Sequence, residues 1–295
     1  MKLIAATRGS PLALWQTYHV ASLLEPFGVK VEPLIVVTSG DENQITPIHE
    51  IGGRGAFAKE VQTAVLEERA DFTVHSLKDL PSKTPEGLEL VAVPHRGEAR
   101  DALVGCTYAE LPSGGHVATG SVRRKALLAS VRPDLIFHEL RGNIETRLDK
   151  GKEYDAILMG AVALERLELR PEIIEILEPE FMLPQVGQGA LGIETRAGDS
   201  KTSESLIHIQ DSVSRILVEA ERSFLAEIGA DCRSPVAAYA TQENSLIRLR
   251  CLVASEDGKT ILRDDRRGDN EIELGRTAAQ TLVEQGARAL FHFTG

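Results

Sequence analysis

Arginine recurs at one kind of place along this chain. Arg8, Arg123, Arg124, Arg141 and Arg147 each stand in a short polar segment that follows an apolar run and opens a helix-like stretch. Scattered surface arginines would not repeat that position. Open α/β sheets expose the ends of their strands to ligands, and a guanidinium meets a carboxylate with a planar fork of donors that an ammonium lacks. The pattern points to a small molecule bearing several carboxylates. Two further side chains stand in polar turns and could carry chemistry, the carboxylate of Asp79 and the thiol of Cys232, though no spacing rule links Cys232 to the arginines.

The first segment is Thr7-Arg8-Gly9-Ser10-Pro11. Ser10 suits an N-cap and Pro11 the first helical position. Free N–H groups there favour an anion and Arg8 adds a bidentate donor; a capped helix beside a solvated arginine accounts for the same residues. His75-Ser76-Leu77-Lys78-Asp79-Leu80-Pro81 ends the β-rich run Asp71-Phe72-Thr73-Val74. Asp79 reads as a carboxylate fixed at a strand end or as a turn aspartate paired with Lys78, and His75 as a hydrogen bonder or a base. Thr119-Gly120-Ser121-Val122-Arg123-Arg124-Lys125 repeats the order of strand, loop and helix start, as does Leu140-Arg141-Gly142-Asn143 with Arg147 a turn later. Gly52-Gly53-Arg54-Gly55-Ala56-Phe57-Ala58-Lys59 is glycine-rich and cationic but lacks the Gly-Lys-Ser/Thr ending of a P-loop. It reads as a ligand cradle or as a surface turn.

Cys232 sits in Gly229-Ala230-Asp231-Cys232-Arg233-Ser234-Pro235, after a helix terminator. A cysteine in a polar turn suits reaction or modification, whereas Cys106 and Cys251 lie in apolar patterns and read as small core hydrophobes. The three cysteines form no metal spacing and no even disulfide set. The histidines show no i, i+4 pair of metal-ligand type, so no metal is expected.

The elements that must position these residues alternate in the manner of α/β layers. Strands are expected at 3–6, 29–37, 72–75, 88–93, 102–105, 135–140 and 154–158, and helices at 11–24, 57–68, 122–130 and 144–150, the last capped by Asn143. Residues 190–211 break that rhythm. A helix follows at 215–228, with Ile216, Ala220, Phe224 and Ile228 on one face and Gly229 ending it. Strands at 245–255 and 260–267 and a helix at 271–286 suggest a small α+β ending. At 295 residues, two or three domains are expected.

Lys and Arg number 33 against 44 Asp and Glu, a formal net charge of −11. That balance argues against nucleic acid as a partner, since such proteins carry a basic face. No apolar run reaches the length of a membrane span. The N-terminus lacks the pattern of a signal peptide, and a reducing cytoplasm is the expected compartment.

In order and at matching intervals, the chain resembles the porphobilinogen deaminase (hydroxymethylbilane synthase) family. The resemblance rests on Ala6-Thr7-Arg8-Gly9-Ser10-Pro11-Leu12-Ala13, Val74-His75-Ser76-Leu77-Lys78-Asp79-Leu80-Pro81, Arg123-Arg124, Leu140-Arg141-Gly142-Asn143 with Thr146-Arg147-Leu148, Val186-Gly187-Gln188-Gly189-Ala190, and Cys232. It weakens after about residue 240.

The resemblance implies an α/β fold with two doubly wound, periplasmic-binding-protein-like domains and a small α+β C-terminal domain. Their bounds would be 1–95 with 190–211, 96–189, and 212–295. It implies a soluble, monomeric transferase of tetrapyrrole (haem, chlorophyll, cobalamin) biosynthesis that condenses four porphobilinogen units with loss of ammonia. A covalent dipyrromethane on Cys232 would prime the chain. Asp79 would be catalytic and also contact the cofactor. Lys78, Ser121, Arg123 and Arg124 would bind the cofactor, and Arg8, Ser10, Arg141, Arg147, Arg166 and Gln188 the substrate, with all these guanidiniums converging on one cleft.

Three segments depart from the family pattern. The loop reads Gly-Gly-Arg-Gly-Ala-Phe where Gly-Gly-Lys-Gly-Leu-Phe is frequent. Ala230-Asp231 replaces the usual Gly-Gly before the cysteine, so Asp231 should raise the thiol pKa while Arg233 opposes it. Gly120 replaces a frequent serine, removing a possible hydroxyl contact. A non-catalytic anion-binding protein of periplasmic type and a transferase using Cys232 directly as nucleophile are the competing readings.

Overall fold

The computed structural model describes residues 1–38, 58–230 and 234–290. The glycine-rich loop up to Phe57 and the turn holding Cys232 lie outside the described residues. Two compact units are present, Met1–Gly97 with Gly189–Arg215, and Glu98–Gln188 with Ile216–Gly295.

The first unit is built on a five-stranded sheet. Its strands are β1 (Lys2–Thr7), β2 (Lys30–Ile35), β3 (Phe72–Ser76), β4 (Leu88–Ala92) and β10 (Leu191–Arg196), in the order β2-β1-β3-β10-β4. β1 pairs in parallel with β2 and β3, while β10 runs antiparallel between β3 and β4. Helices α1 (Pro11–Leu24), α2 (Lys59–Leu66) and α6 (Ser200–Leu206) belong to the same unit. Leu3, Leu24, Phe72, Ile193 and Leu206 are fully buried in it. The cap of α1 forms as its sequence predicts: Ser10 Oγ accepts from the Ala13 N–H at 3.4 Å, and Pro11 opens the helix.

β10 and α6 occupy the stretch where no regular element is expected from the sequence. The reason is burial. Leu191 to Thr195 are buried on both faces of the sheet, so the period-2 alternation that marks a half-exposed strand is absent.

The second unit contains two sheets. The first has the order β7-β6-β8-β5-β9, from β5 (Asp101–Val104), β6 (His116–Ala118), β7 (Ile136–His138), β8 (Ala156–Gly160) and β9 (Ile174–Leu177). β6 is parallel to β7 and β8, and β5 is antiparallel to β8 and β9. Both five-stranded sheets therefore use one scheme, with an antiparallel fourth strand. Helices α3 (Val122–Val131), α4 (Ile144–Gly151) and α5 (Ala161–Arg166) accompany this sheet. Asn143 caps α4, accepting from the Thr146 N–H at 2.8 Å.

The second sheet of this unit is an antiparallel meander of β11 (Val236–Glu243), β12 (Leu246–Ala254) and β13 (Ile261–Gly268). Helices α7 (Ser212–Ile228) and α8 (Glu271–Glu284) belong to this C-terminal part. Ala237 and Leu252 of the meander share a core cluster with Leu103, Leu128 and Leu158. Cys251 is buried in β12, as expected, whereas Cys106 falls just past the end of β5 and is half-buried. Among the described residues no helix is long and apolar enough to cross a membrane.

The turn between β12 and β13 touches the backbone of α3. Gly258 has φ +71°, and a Cβ there would lie 2.2 Å from the Ala126 carbonyl oxygen and 3.0 Å from the Ser130 nitrogen. Gly258→Ala is expected to cost at least about 2 kcal/mol, the sum of left-handed backbone strain and overpacking. Gly198→Ala, also at positive φ but with nothing within 4 Å, is expected to cost about 1 kcal/mol. Urea unfolding midpoints of the two variants check the difference.

Candidate functional site

In the first unit the site residues come from the C-terminal ends of two neighbouring parallel strands. Ala5 pairs with Phe72 and Ala6 with Thr73, so the turn after β1 and the turn after β3 open at the same sheet edge. Arg8 and Ser10 lie on the first turn. Lys78 and Asp79 lie on the second, a short 3-10 stretch Leu77–Asp79. Backbone bonds hold that stretch at both ends: the Leu77 N–H donates to Ala190 O at 3.0 Å and the Leu80 N–H to Leu77 O at 3.1 Å. Gln16 Nε2, from α1, donates to Ser76 Oγ at 2.7 Å and ties that helix to the end of β3. Lys78 is half-buried and Asp79 is exposed.

His75, two residues inside the strand end, is buried. Its Nε2 stands 3.2 Å from Glu194 Oε2 but off the hydrogen-bond direction, and Gln62 Nε2 donates to the same oxygen at 2.7 Å. The histidine belongs to the sheet interior rather than to the exposed turn.

The second unit gathers its residues around a carboxylate that the sequence reading did not single out. Asp101 heads β5 and has no exposed surface. Its Oδ2 accepts from Arg123 Nη1 at 2.7 Å, and its Oδ1 from Arg124 Nε at 2.9 Å and Gln188 Nε2 at 2.8 Å. Burial pushes the Asp101 pKa up, but the two guanidiniums together outweigh it and hold the group far below the ordinary carboxylate value. Arg124 is used up internally, with Nη2 donating to Gln188 Oε1 at 3.1 Å and Nη1 to Leu158 O at 3.5 Å.

Arg123 is not. Its Nη1 also donates to Leu183 O at 2.7 Å, but its Nε and Nη2 are buried and have no hydrogen-bond partner among the described residues. Orphaned donors on a buried cation are costly, and they mark an ordered water or ion, stored strain or a functional role such as ligand binding. Charge favours the last of these, since two guanidiniums face one carboxylate. Burial lowers the pKa of Arg124, Asp101 raises it, and Arg123 and Arg147 lower it further. Arg147 therefore adds to the same positive field.

The remaining residues surround this cluster along the sequence. Ser121 caps α3, with its Oγ accepting from the Arg124 N–H at 3.4 Å. Arg141 Nε donates to Glu139 Oε1 at 3.1 Å, and Arg147 Nε to Gly142 O at 2.8 Å. Arg166 ends α5 and is buried. Burial brings its pKa down to about 10, with Glu165 opposing. A serine at position 120 would bring its Cβ within 2.8 Å of Leu140 O, so glycine at this point is required by close approach of the two loops. The Gly187-Gln188 turn is held by Glu221 of α7, whose carboxylate accepts from the Gly187 N–H at 2.7 Å and the Ala240 N–H at 2.9 Å.

The sequence signal for Asp101 was a charged residue opening an apolar run. For Glu221 there was none beyond a polar residue one step from Ala220 on a helix.

Comparison with known proteins assigns the chain. A family model described as "Porphobilinogen deaminase, dipyromethane cofactor binding domain" matches residues 3–204, and one described as "Porphobilinogen deaminase, C-terminal domain" matches 215–284. Among solved structures, an arginine-specific periplasmic binding protein of Salmonella typhimurium is 12% identical with a TM-score of 0.39, covering 72% of this chain and 93% of that one. YhfZ from Shigella flexneri is 14% identical with a TM-score of 0.36, covering 78% and 98%. TM-scores of this size do not establish a shared fold. The two family models, matching in order over most of the sequence, do establish kinship: the chain belongs to the porphobilinogen deaminase family.

Proposed function

We propose that this chain is a hydroxymethylbilane synthase, joining four porphobilinogen molecules head to tail with loss of ammonia, and that Cys232 holds its dipyrromethane. One water balances the release of the linear product and four ammonia molecules. The observation that carries the reading is Arg123, inside the region matching the cofactor-binding domain: a buried cation with two unpartnered donors in a cluster with surplus positive charge. Dipyrromethane bears acetate and propionate arms, and a carboxylate is the group those donors fit.

When bound, dipyrromethane supplies a nucleophilic pyrrole carbon; binding and charge stabilisation fall to this chain's residues. Asp101 and Gln188 fix both guanidiniums of the Arg123-Arg124 pair, leaving Arg123 to take a carboxylate. Ser121, while capping α3 through its lone pair, can still donate its proton to a carboxylate oxygen. Arg141, Arg147 and Arg166 extend the positive field for further carboxylates, as Arg8 and Lys78 do in the first unit, where the Ser10 hydroxyl can donate a hydrogen bond.

Loss of ammonia leaves porphobilinogen cationic. Asp79, a carboxylate on a rigid turn, would hold the pyrrole N–H and stabilise that cation, and it could carry a proton to the leaving amine.

Intact-mass measurement with peptide mapping tests the assignment. The purified chain is expected to carry a two-pyrrole adduct on Cys232, and Cys232→Ser none. A wild-type protein that binds porphobilinogen with Cys232 unmodified, and releases no ammonia, would make it an anion-binding protein instead.

A further inference from the structure

The edge of the second unit's five-stranded sheet carries two histidines that the reaction does not use. β6 and β7 pair in parallel, His116 opposite Ile136 and Ala118 opposite His138, so His116 and His138 project from one face. His138 Nε2 and His116 Nδ1 share a hydrogen bond of 3.0 Å, the tautomers deciding which ring donates, and a bound ion would take the place of that proton. The ring centroids are 4.9 Å apart with the planes inclined by 20°. Tyr154 packs on His138, centroid to centroid 4.9 Å. The His116 backbone N–H donates to Asp155 Oδ2 at 2.7 Å, which anchors the start of β6 and sets a negative charge beside the pair. His116 is exposed and His138 half-buried, so solvent reaches both.

Two ring nitrogens this close, held by strand register rather than by a flexible loop, are spaced as a chelate. With metal–nitrogen bonds of about 2.0–2.1 Å, a nitrogen separation of 3.0 Å subtends roughly a right angle at the ion. A tetrahedral ion would want the nitrogens spread wider. Square-planar or octahedral preference with imidazole ligands describes copper(II) and nickel(II), which also stand high in the general affinity order.

We propose that His116 and His138 bind one divalent transition ion of this class, through His116 Nδ1 and His138 Nε2, with water completing the coordination. Among the described residues no group of three or more His, Cys, Asp or Glu side chains could hold a metal ion, so the pair supplies the only two protein ligands. Binding requires His116 as its Nε2–H tautomer and His138 as its Nδ1–H tautomer. Each ring must turn by roughly 40° from the hydrogen-bonded arrangement, the base angle of a triangle with metal–nitrogen bonds of about 2.0–2.1 Å, to bring both lone pairs to one point. No net proton is lost, because each neutral ring keeps one N–H.

Nickel(II) chloride titrated calorimetrically into the full-length holo-protein tests this, independently of turnover. One equivalent is expected to bind wild type and His95→Ala, a control at another exposed histidine. The affinity should fall at least about tenfold in His116→Ala and in His138→Ala. Nickel should raise the wild-type Tm and leave both variants unmoved, since an ion stabilises only a fold that binds it. Matching far-UV circular dichroism establishes that the variants are folded. Equal titrations in all four proteins, or thiolate-to-nickel charge-transfer absorption in the bound form, would overturn the proposal.

Discussion

Asp101→Asn is expected to cripple the second unit. The substitution keeps the shape of the side chain and removes the carboxylate that, among the described residues, pairs with both Arg123 and Arg124, themselves buried. Breaking a buried ion pair by deleting one partner typically costs about 3–5 kcal/mol, because the remaining charge is left uncompensated. Against a whole-protein stability of about 5–15 kcal/mol, that is a large fraction. The urea midpoint should fall accordingly, and the purified variant should carry little or no adduct. Adding Arg124→Met should recover part of the lost stability by removing one of the stranded charges. If the double variant is no more stable than the single one, the charge explanation is wrong. The effect also has a pH signature. Because the folded pKa of Asp101 lies below its ordinary value, its stabilisation is complete above about pH 4. It is lost only as pH falls toward the folded pKa. Wild type should therefore lose stability in acid more steeply than Asp101→Asn.

Asp79→Ala should show the opposite profile. Asp79 is exposed, and its turn is held by backbone bonds from Leu77 and Leu80 rather than by its side chain. Its loss should change stability by no more than about 0.5 kcal/mol. Turnover is expected to fall by about a thousandfold or more, in the range for a lost electrostatic or acid–base group, while the adduct on Cys232 remains. Rates of ammonia release and intact mass on the same preparation make the comparison. Turnover near wild type would remove Asp79 from the chemistry and leave it a solvated turn residue.

What could be read from the chain divides along local and non-local lines. The starts of α1 and α4 were legible because Ser10, Pro11 and Asn143 act within one turn of themselves. The strand ends bearing Arg8 and Asp79 were legible because a β-rich run stops at a polar cluster. β10 was not, since a strand buried on both faces loses its alternation. Neither was the pairing of Asp101 with Arg123, Arg124 and Gln188, which depends on side chains that only folding brings together. Gly120 was read as a lost hydroxyl contact. The structure adds a steric reason, the Leu140 carbonyl, that no single-sequence pattern contains. The histidine pair shows the same limit, because spacing rules look along one helix and this pair spans two strands.

The antiparallel fourth strand of each sheet has a consequence for synthesis of the chain. Ser76 of β3 must pair with Leu191 of β10, so the sheet of β1 to β4 cannot close until the residues of β10 have left the ribosome. The sheet of β5 to β9 needs only residues from Asp101 to Leu177 and can assemble earlier, although it is encoded later. Until β10 arrives, β3 and β4 lack the strand that lies between them, and unpaired strand edges on an incompletely folded chain favour aggregation.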